Sequence, residues 1–125
     1  MLFTKKILLV EDEFACIKLL HEKLTENGFM VVDAEDGKKG FEMAKKEKPD
    51  LILLDIKMPK MNGMTMLSLL RKEDRMKKIK VIILTNLEPD DKIISQIIKN
   101  QPVYYYIKSV MRLDDLIDKI KEIVI

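Results

Sequence analysis

Residues 51–63 read Leu-Ile-Leu-Leu-Asp-Ile-Lys-Met-Pro-Lys-Met-Asn-Gly, and this stretch leaves the chain little freedom. Four consecutive apolar residues, Leu51 to Leu54, run into an acid, Asp55; Met58, Pro59, Asn62 and Gly63 then close a turn. An apolar run this short, bounded by turn signals, suits a strand buried on both faces. Asp55 then stands where that strand emerges, at its carboxyl end. In an open α/β sheet that edge is where ligands bind. A carboxylate there is either a functional group or a costly burial.

The rest of the chain repeats the pattern. Residues 7–10 (Ile-Leu-Leu-Val) are a first strand that stops at Glu11-Asp12-Glu13. Cys16, Ile17, Leu19, Leu20 and Leu24 recur at helical spacing, and Asn27-Gly28 ends that helix. Residues 29–32 predict a second strand, ending near Asp33-Ala34, and Gly40, Phe41 and Ala44 sit on a second helix that ends before Pro49. The third strand is 51–54. A third helix follows Gly63 with Met66, Leu67 and Leu70 inward, and residues 79–84 are a fourth strand ending in Thr85-Asn86. Pro89-Asp90-Asp91 opens a fourth helix, proline suiting its first turn and the acids its positive end. Residues 103–107 are a fifth strand ending at Lys108, and the last helix carries Leu113, Leu116, Ile117 and Ile120.

Five strand–helix units without repeat or linker predict one domain over residues 1–125. Alternation of this kind implies an α/β three-layer sandwich, a parallel five-stranded sheet with helices on both faces. The apolar strands 1, 3 and 4 belong in the centre, and the shorter or more polar strands 2 and 5 at the edges. That agrees with the known flavodoxin-like (βα)5 order 2-1-3-4-5, whose crevice lies between the carboxyl ends of strands 1 and 3. Composition excludes several classes. Charged residues are 35% of the chain but nearly cancel, leaving +2, too weak a bias to argue for nucleic acid or an anionic membrane. A single cysteine, Cys16, rules out an internal disulfide. Lys5 and Lys6 precede an apolar run too short for a signal peptide, and no run approaches membrane-spanning length, so the expected setting is the cytoplasm.

The polar ends of the central strands converge. Strand 1 delivers Glu11 and Asp12, strand 3 Asp55, strand 4 Thr85 and strand 5 Lys108. Crowded carboxylates repel, and a hard divalent cation relieves them. Mg2+ takes oxygen ligands, keeps several waters and uses one or two carboxylates plus phosphate oxygens. Asp12 and Asp55 suit direct ligation, Glu11 ligation through water, and Asp55 is then a candidate nucleophile towards phosphorus. Phosphoryl transfer needs mostly positioning and charge stabilisation, which Mg2+, Lys108 and the Thr85 hydroxyl would supply.

The segments Ile7-Leu-Leu-Val-Glu-Asp-Glu13, Asp55-Ile-Lys-Met-Pro-Lys-Met-Asn-Gly63, Leu84-Thr85 and Tyr105-Tyr-Ile-Lys108 occur in order, each at a strand end. Together they make the chain resemble a receiver domain of the two-component response regulators over essentially its whole length. The resemblance implies that Asp55 accepts a phosphoryl group from a phosphohistidine on a sensor histidine kinase or phosphotransfer protein. It implies Mg2+ on Asp12, Asp55 and the backbone carbonyl of Lys57, with Glu11 assisting. Thr85 and Lys108 would contact the phosphoryl oxygens, and Tyr105 would change rotamer with Thr85. A downstream protein would be met through helix 4, strand 5 and helix 5. Such a chain catalyses only its own phosphorylation and dephosphorylation and is not a metabolic enzyme. No output domain follows helix 5, which leaves a stand-alone receiver or a piece of a longer protein. Three positions depart from the family's pattern. Ser109 stands where proline is usual, Asn86 where alanine or glycine is usual, and Gln101-Pro102 where Gly-Ala is common, with Asn100 suited to the left-handed turn a glycine would supply.

The rival from another class is a receiver-like interaction module that is never phosphorylated; the intact acid, threonine and lysine set argues against it. A flavin enzyme would need a Gly/Ser/Thr-rich phosphate loop where Glu11-Asp12-Glu13 stands, and no Gly-x-Gly-x-x-Gly follows strand 1. Glu13 is expected to cap helix 1, Cys16 to be core, and His21 to be exposed and no metal site. On helix 4, Ile93, Ile94, Ile97 and Ile98 form a stripe broader than one packing face needs, beside Tyr104, Tyr105 and Tyr106. That reads either as burial or as a partner or homodimer surface, since aromatics and apolar patches mark interfaces.

Overall fold

The computed structural model describes residues 4–58, 60–86, 90–100 and 104–125. The expectations for Pro59, Pro89, Gln101-Pro102 and Val103, and for the side chain of Ile98, fall outside the described residues. The elements alternate as β1 (Lys6–Val10), α1 (Phe14–Glu26), β2 (Met30–Ala34), α2 (Gly37–Glu47), β3 (Leu51–Leu54), α3 (Gly63–Lys72), β4 (Lys80–Thr85), α4 (Asp91–Asn100), β5 (Tyr104–Ile107) and α5 (Leu113–Val124). All pairings are parallel and the order is β2-β1-β3-β4-β5, the known flavodoxin-like order, with the apolar strands central and the more polar ones at the edges.

Side chains on a strand alternate between faces, and that alternation divides the core in two. Leu8, Val10, Ile52, Leu54, Val81 and Ile83 face Ala44 of α2 and Met66, Leu67 and Leu70 of α3, with Ile93 and Ile97 of α4 against the same layer. Ile7, Leu9, Leu51, Leu53, Ile82 and Leu84 face Leu20 and Leu24 of α1 and Leu116, Ile117 and Ile120 of α5. Every residue of β3 is fully buried. Each such leucine or isoleucine contributes roughly 1.5–3 kcal/mol relative to exposure, so slipping the central strands by one residue would exchange the two layers at great cost.

Local signals fix the ends. Gly28, at φ +88, turns the chain out of α1, a conformation that costs glycine little. Asn62 caps α3 by accepting from the Thr65 N–H at 2.9 Å, and Asp36 caps α2 by accepting from the Lys39 N–H at 2.8 Å. Asp90 does the same for α4, accepting from the Ile93 N–H at 2.9 Å. The far end of α4 is tied to α3. Arg71 Nε donates to the Asn100 carbonyl at 2.8 Å, its Nη1 to those of Ile79 and Lys77 at 2.8 and 3.1 Å, and Ser68 Oγ meets Asn100 Oδ1 at 3.3 Å. Asn100 is therefore not the left-handed cap expected of it; it is the last helical residue, buried and hydrogen-bonded.

Three surface expectations change. Leu19 shares the helical spacing of the inner stripe but is 56% exposed; α1 buries the narrower face of Leu20 and Leu24, flanked by Cys16 and Ile17. His21 is half-buried and paired with Asp33 of β2 at 3.0 Å, so it bridges helix and strand instead of standing in solvent. Among the described residues of the stripe on α4, Ile93 and Ile97 pack on the core, as does Tyr105 of β5. Ile94 and Tyr104 remain exposed on that side, with Lys119 of α5 over the Tyr104 ring.

Candidate functional site

Hydrogen bonds of the ladder run past the strand ends and carry the polar residues into one crevice. The Glu11 N–H donates to the Ala34 carbonyl, the Asp55 N–H to that of Val10, both at 3.0 Å, and the Lys108 N–H to that of Thr85 at 2.8 Å. The crevice, of about 410 Å3, is lined by Asp12, Glu13, Asp55, Lys57, Thr85, Asn86 and Lys108.

Carboxylate oxygens of Glu11, Asp12 and Asp55 all lie within 4.8 Å of one another. Asp12 is exposed, while Glu11 is 1% and Asp55 6% exposed. Burial of two acids needs compensation, and two sources supply it. The Ile56 N–H donates to Asp55 Oδ1 at 2.7 Å, and the Asp12 and Glu13 N–H groups donate to Glu11 Oε1 at 3.2 and 3.1 Å. Lys108 Nζ then pairs with Glu11 Oε2 and with Asp55 Oδ2, the latter at 3.1 Å. Burial raises the Glu11 carboxyl above its ordinary range, with Asp55 adding to the effect and Lys108 opposing it. For Lys108, burial alone would lower the ammonium's pKa, but Glu11 and Asp55 outweigh it and the net shift is upward. Lys108 is thus a permanent cation, outnumbered by the acids around it.

Gly63 explains the close approach of α3. Its N–H donates to the Ile56 carbonyl at 2.7 Å, and a Cβ there would meet the Asp55 carbonyl oxygen at 2.0 Å. Any larger residue would push the helix off the backbone that carries Asp55. Thr85 is buried at the end of β4, and Tyr105, two strand residues before Ile107, packs on the core; burial and then Asp55 raise its phenol. Lys57 is exposed on the crevice wall.

The sequence-predicted residues Glu11, Asp12, Asp55, Lys57, Thr85 and Lys108 therefore converge. Glu13 stands at the start of α1, as expected of a helix-capping acid. It occupies the N-cap position of α1 without a capping bond from its side chain, which reaches Lys108 Nζ at 3.4 Å. Cys16 is half-buried behind the acids, and burial, then Glu11, pushes its thiol up to about 12, which keeps it protonated and inert. Pattern reading missed the bond from the Ser109 N–H to Asn86 Oδ1, 2.9 Å long, although both residues had drawn notice as departures.

The family model for the response regulator receiver domain matches residues 7–121. The chain belongs to that family. Over 86 residues, 69% of its length, this receiver is 38% identical to the alkaline phosphatase synthesis transcriptional regulatory protein PhoP of Bacillus subtilis, spanning 36% of that protein. Over 84 residues, 67% of its length, it is 36% identical to sporulation initiation phosphotransferase F of the same organism, spanning 66% of it. It thus covers less than two thirds of either relative. Among solved structures it resembles a response regulator receiver domain protein of Methanospirillum hungatei JF-1, with TM-score 0.87 and 28% identity over 96% of this chain and 93% of that one. Chemotaxis protein CheY4 of Vibrio cholerae shares the fold, with TM-score 0.86 at 21% identity over 97% of this chain and 99% of that one. Among the described residues no helix is long and apolar enough to cross a membrane.

Proposed function

We propose that this receiver is a phospho-accepting switch, with Asp55 taking a phosphoryl group from a phosphohistidine on a sensor kinase or phosphotransfer protein. The observation that carries the reading is Asp55 itself, a buried carboxylate held between one lysine and two further acids at the carboxyl edge of the sheet. Three clustered carboxylates with one paired ammonium fit a hard, oxygen-seeking divalent cation, and Mg2+ is the expected one. Asp12, Asp55 and the Lys57 carbonyl would hold it, with Glu11 assisting. When bound, it neutralises the acids and the phosphoryl oxygens, which lets two anions meet.

In the transfer, one Asp55 carboxylate oxygen forms a bond to phosphorus as the bond from phosphorus to the donor's imidazole nitrogen breaks, and the imidazole keeps that electron pair. Lys108 turns from the Asp55 oxygen to a phosphoryl oxygen, and the Thr85 hydroxyl donates to another. Phe14 and Val110, exposed by 78% and 77%, follow the crevice residues Glu13 and Lys108 closely in sequence and would be within reach of a docking donor. Recruitment of Thr85 frees space for Tyr105 to turn inward and biases α4, β5 and α5, where Ile94, Tyr104 and Lys119 would meet a downstream protein. The receiver turns over no metabolite; it catalyses only its own phosphorylation and dephosphorylation.

Intact mass after incubation with acetyl phosphate and Mg2+ tests this. One added phosphoryl mass is expected, lost in Asp55→Ala and lost without Mg2+. No adduct, while a known receiver labels alongside, would replace this reading by that of a phosphorylation-independent interaction module.

A further inference from the structure

We propose that Asn86 is a positioning residue for Lys108, its side-chain carbonyl clasping the turn after β5 to the end of β4. The inference deepens the phosphoacceptor reading and rests on it.

The parallel ladder between β4 and β5 ends at Thr85 opposite Ile107. Beyond it the Lys108 N–H still reaches the Thr85 carbonyl, at 2.8 Å. The next backbone donor, the Ser109 N–H, has passed the end of the strand. Asn86 Oδ1 meets it at 2.9 Å. An asparagine side chain is a peptide-like acceptor on a short stem and readily stands in for a backbone group. Here it adds a side-chain bond just past the ladder, beside the point where the Lys108 stem leaves the backbone. The turn is then closed from the other side, as the Val110 and Met111 N–H groups donate to the Ile107 carbonyl at 3.2 and 3.1 Å. Lys108 thus lies between bonds on both sides, and its Nζ is aimed at Asp55 and Glu11.

The two residues that depart from the family's pattern beside the crevice are therefore bonded to each other. The bond requires both. A proline at 109 would bring no N–H, and an alanine at 86 no acceptor. The clasp also gives a direction to the effect of Asn86. A residue that only narrowed the mouth would, on truncation, speed the entry of a small phosphodonor. A residue that holds Lys108 in line would, on truncation, slow the transfer.

The test is a mutant cycle read by acetyl phosphate labelling of Asp55 in the full chain with Mg2+. Asn86→Ala should slow labelling by about threefold to tenfold, the range one such hydrogen bond supports. The loss should fall on the maximal rate and not on the acetyl phosphate concentration that half-saturates it. Ser109→Ala keeps the N–H and should match wild type. In the Ser109→Pro background, where no donor remains, Asn86→Ala should change the rate by less than about twofold. The same factor in both backgrounds, or faster labelling by Asn86→Ala alone, overturns the proposal. Hydrogen exchange of the Ser109 amide reads the clasp without any phosphoryl chemistry: exchange should quicken in Asn86→Ala and hold in Ser109→Ala. Unchanged exchange in Asn86→Ala refutes the clasp even if labelling slows. Failure of wild type to label would instead count against the phosphoacceptor reading, with the clasp still decided by exchange.

Discussion

Replacing Asp55 by asparagine should make the metal-free receiver more stable, although it removes the proposed reactive group. Oxygens of Glu11, Asp12 and Asp55 lie within 4.8 Å of one another. At an effective dielectric near 20, a like-charge pair at that distance repels by roughly 3 kcal/mol. Solvent screens the share of exposed Asp12 to about 1 kcal/mol. Against this stands the attraction of Lys108 Nζ at 3.1 Å, on the order of 5 kcal/mol at the same dielectric. These effects nearly cancel. What remains is the desolvation of a carboxylate whose side chain is 7% exposed, several kcal/mol for an ion in a real protein, and the neutral amide escapes it. Asparagine still accepts from the Ile56 N–H, and Lys108 still has Glu11. The expected gain is about 1–3 kcal/mol, a rise in Tm of roughly 4–15 °C for a domain of this size. Thermal and urea unfolding by circular dichroism in EDTA measure it. With Mg2+ the wild type should gain more than Asp55→Asn, which has lost a ligand, and the gap should narrow. Equal or lower stability of Asp55→Asn in EDTA would mean that the lysine outweighs the acids, or that they do not cluster in solution.

Lys108→Ala should cost about 3–5 kcal/mol in EDTA, because it strands two buried carboxylates; urea unfolding should then recover part of the loss on adding Mg2+. Gly63→Ala should destabilise by about 2–3 kcal/mol, since the new methyl meets backbone, which cannot yield as a side chain can, and acetyl phosphate labelling should fall with it. Glu11 gives a pH dependence of definite sign. Its folded pKa lies above the ordinary 4.5, so between the two values the folded state holds the extra proton and Glu11's contribution to stability falls as pH rises. Metal-free wild type should therefore lose ground to Glu11→Gln in melts taken from roughly pH 4 to 8; a difference that stays flat or runs the other way refutes the burial argument.

The layers and the division into central and edge strands were legible because the apolar runs carry their own punctuation, and the acids at their ends follow from the parallel direction; the full order came from likeness to a known fold. Leu19 was misjudged because helical spacing marks a stripe and not its width; only the packing of α1 shows that Leu20 and Leu24 suffice. Partners distant in sequence left no local trace. His21 finds Asp33, Arg71 finds Asn100, and Glu13 reaches across to Lys108, and each pairing depends on elements that meet only after folding. Asn86 and Ser109 were visible as oddities, 23 residues apart, but their hydrogen bond needed the β4–β5 register before it could be seen.

If phosphorylation shifts α4 as proposed, the tie between Arg71 and Asn100 would set its pivot at the far end from the crevice. A helix of 10 residues is about 15 Å long, so a swing of about 10° about Asn100 carries its first turn through roughly 2.5 Å and leaves its last turn almost still. Travel would therefore grade along the helix, large at Ile93 and Ile94 and small towards Lys99. A partner seated on the opening turn would feel the full stroke, whereas one gripping the closing turn would stay bound and unmoved, so the same displacement can release one protein while another remains attached.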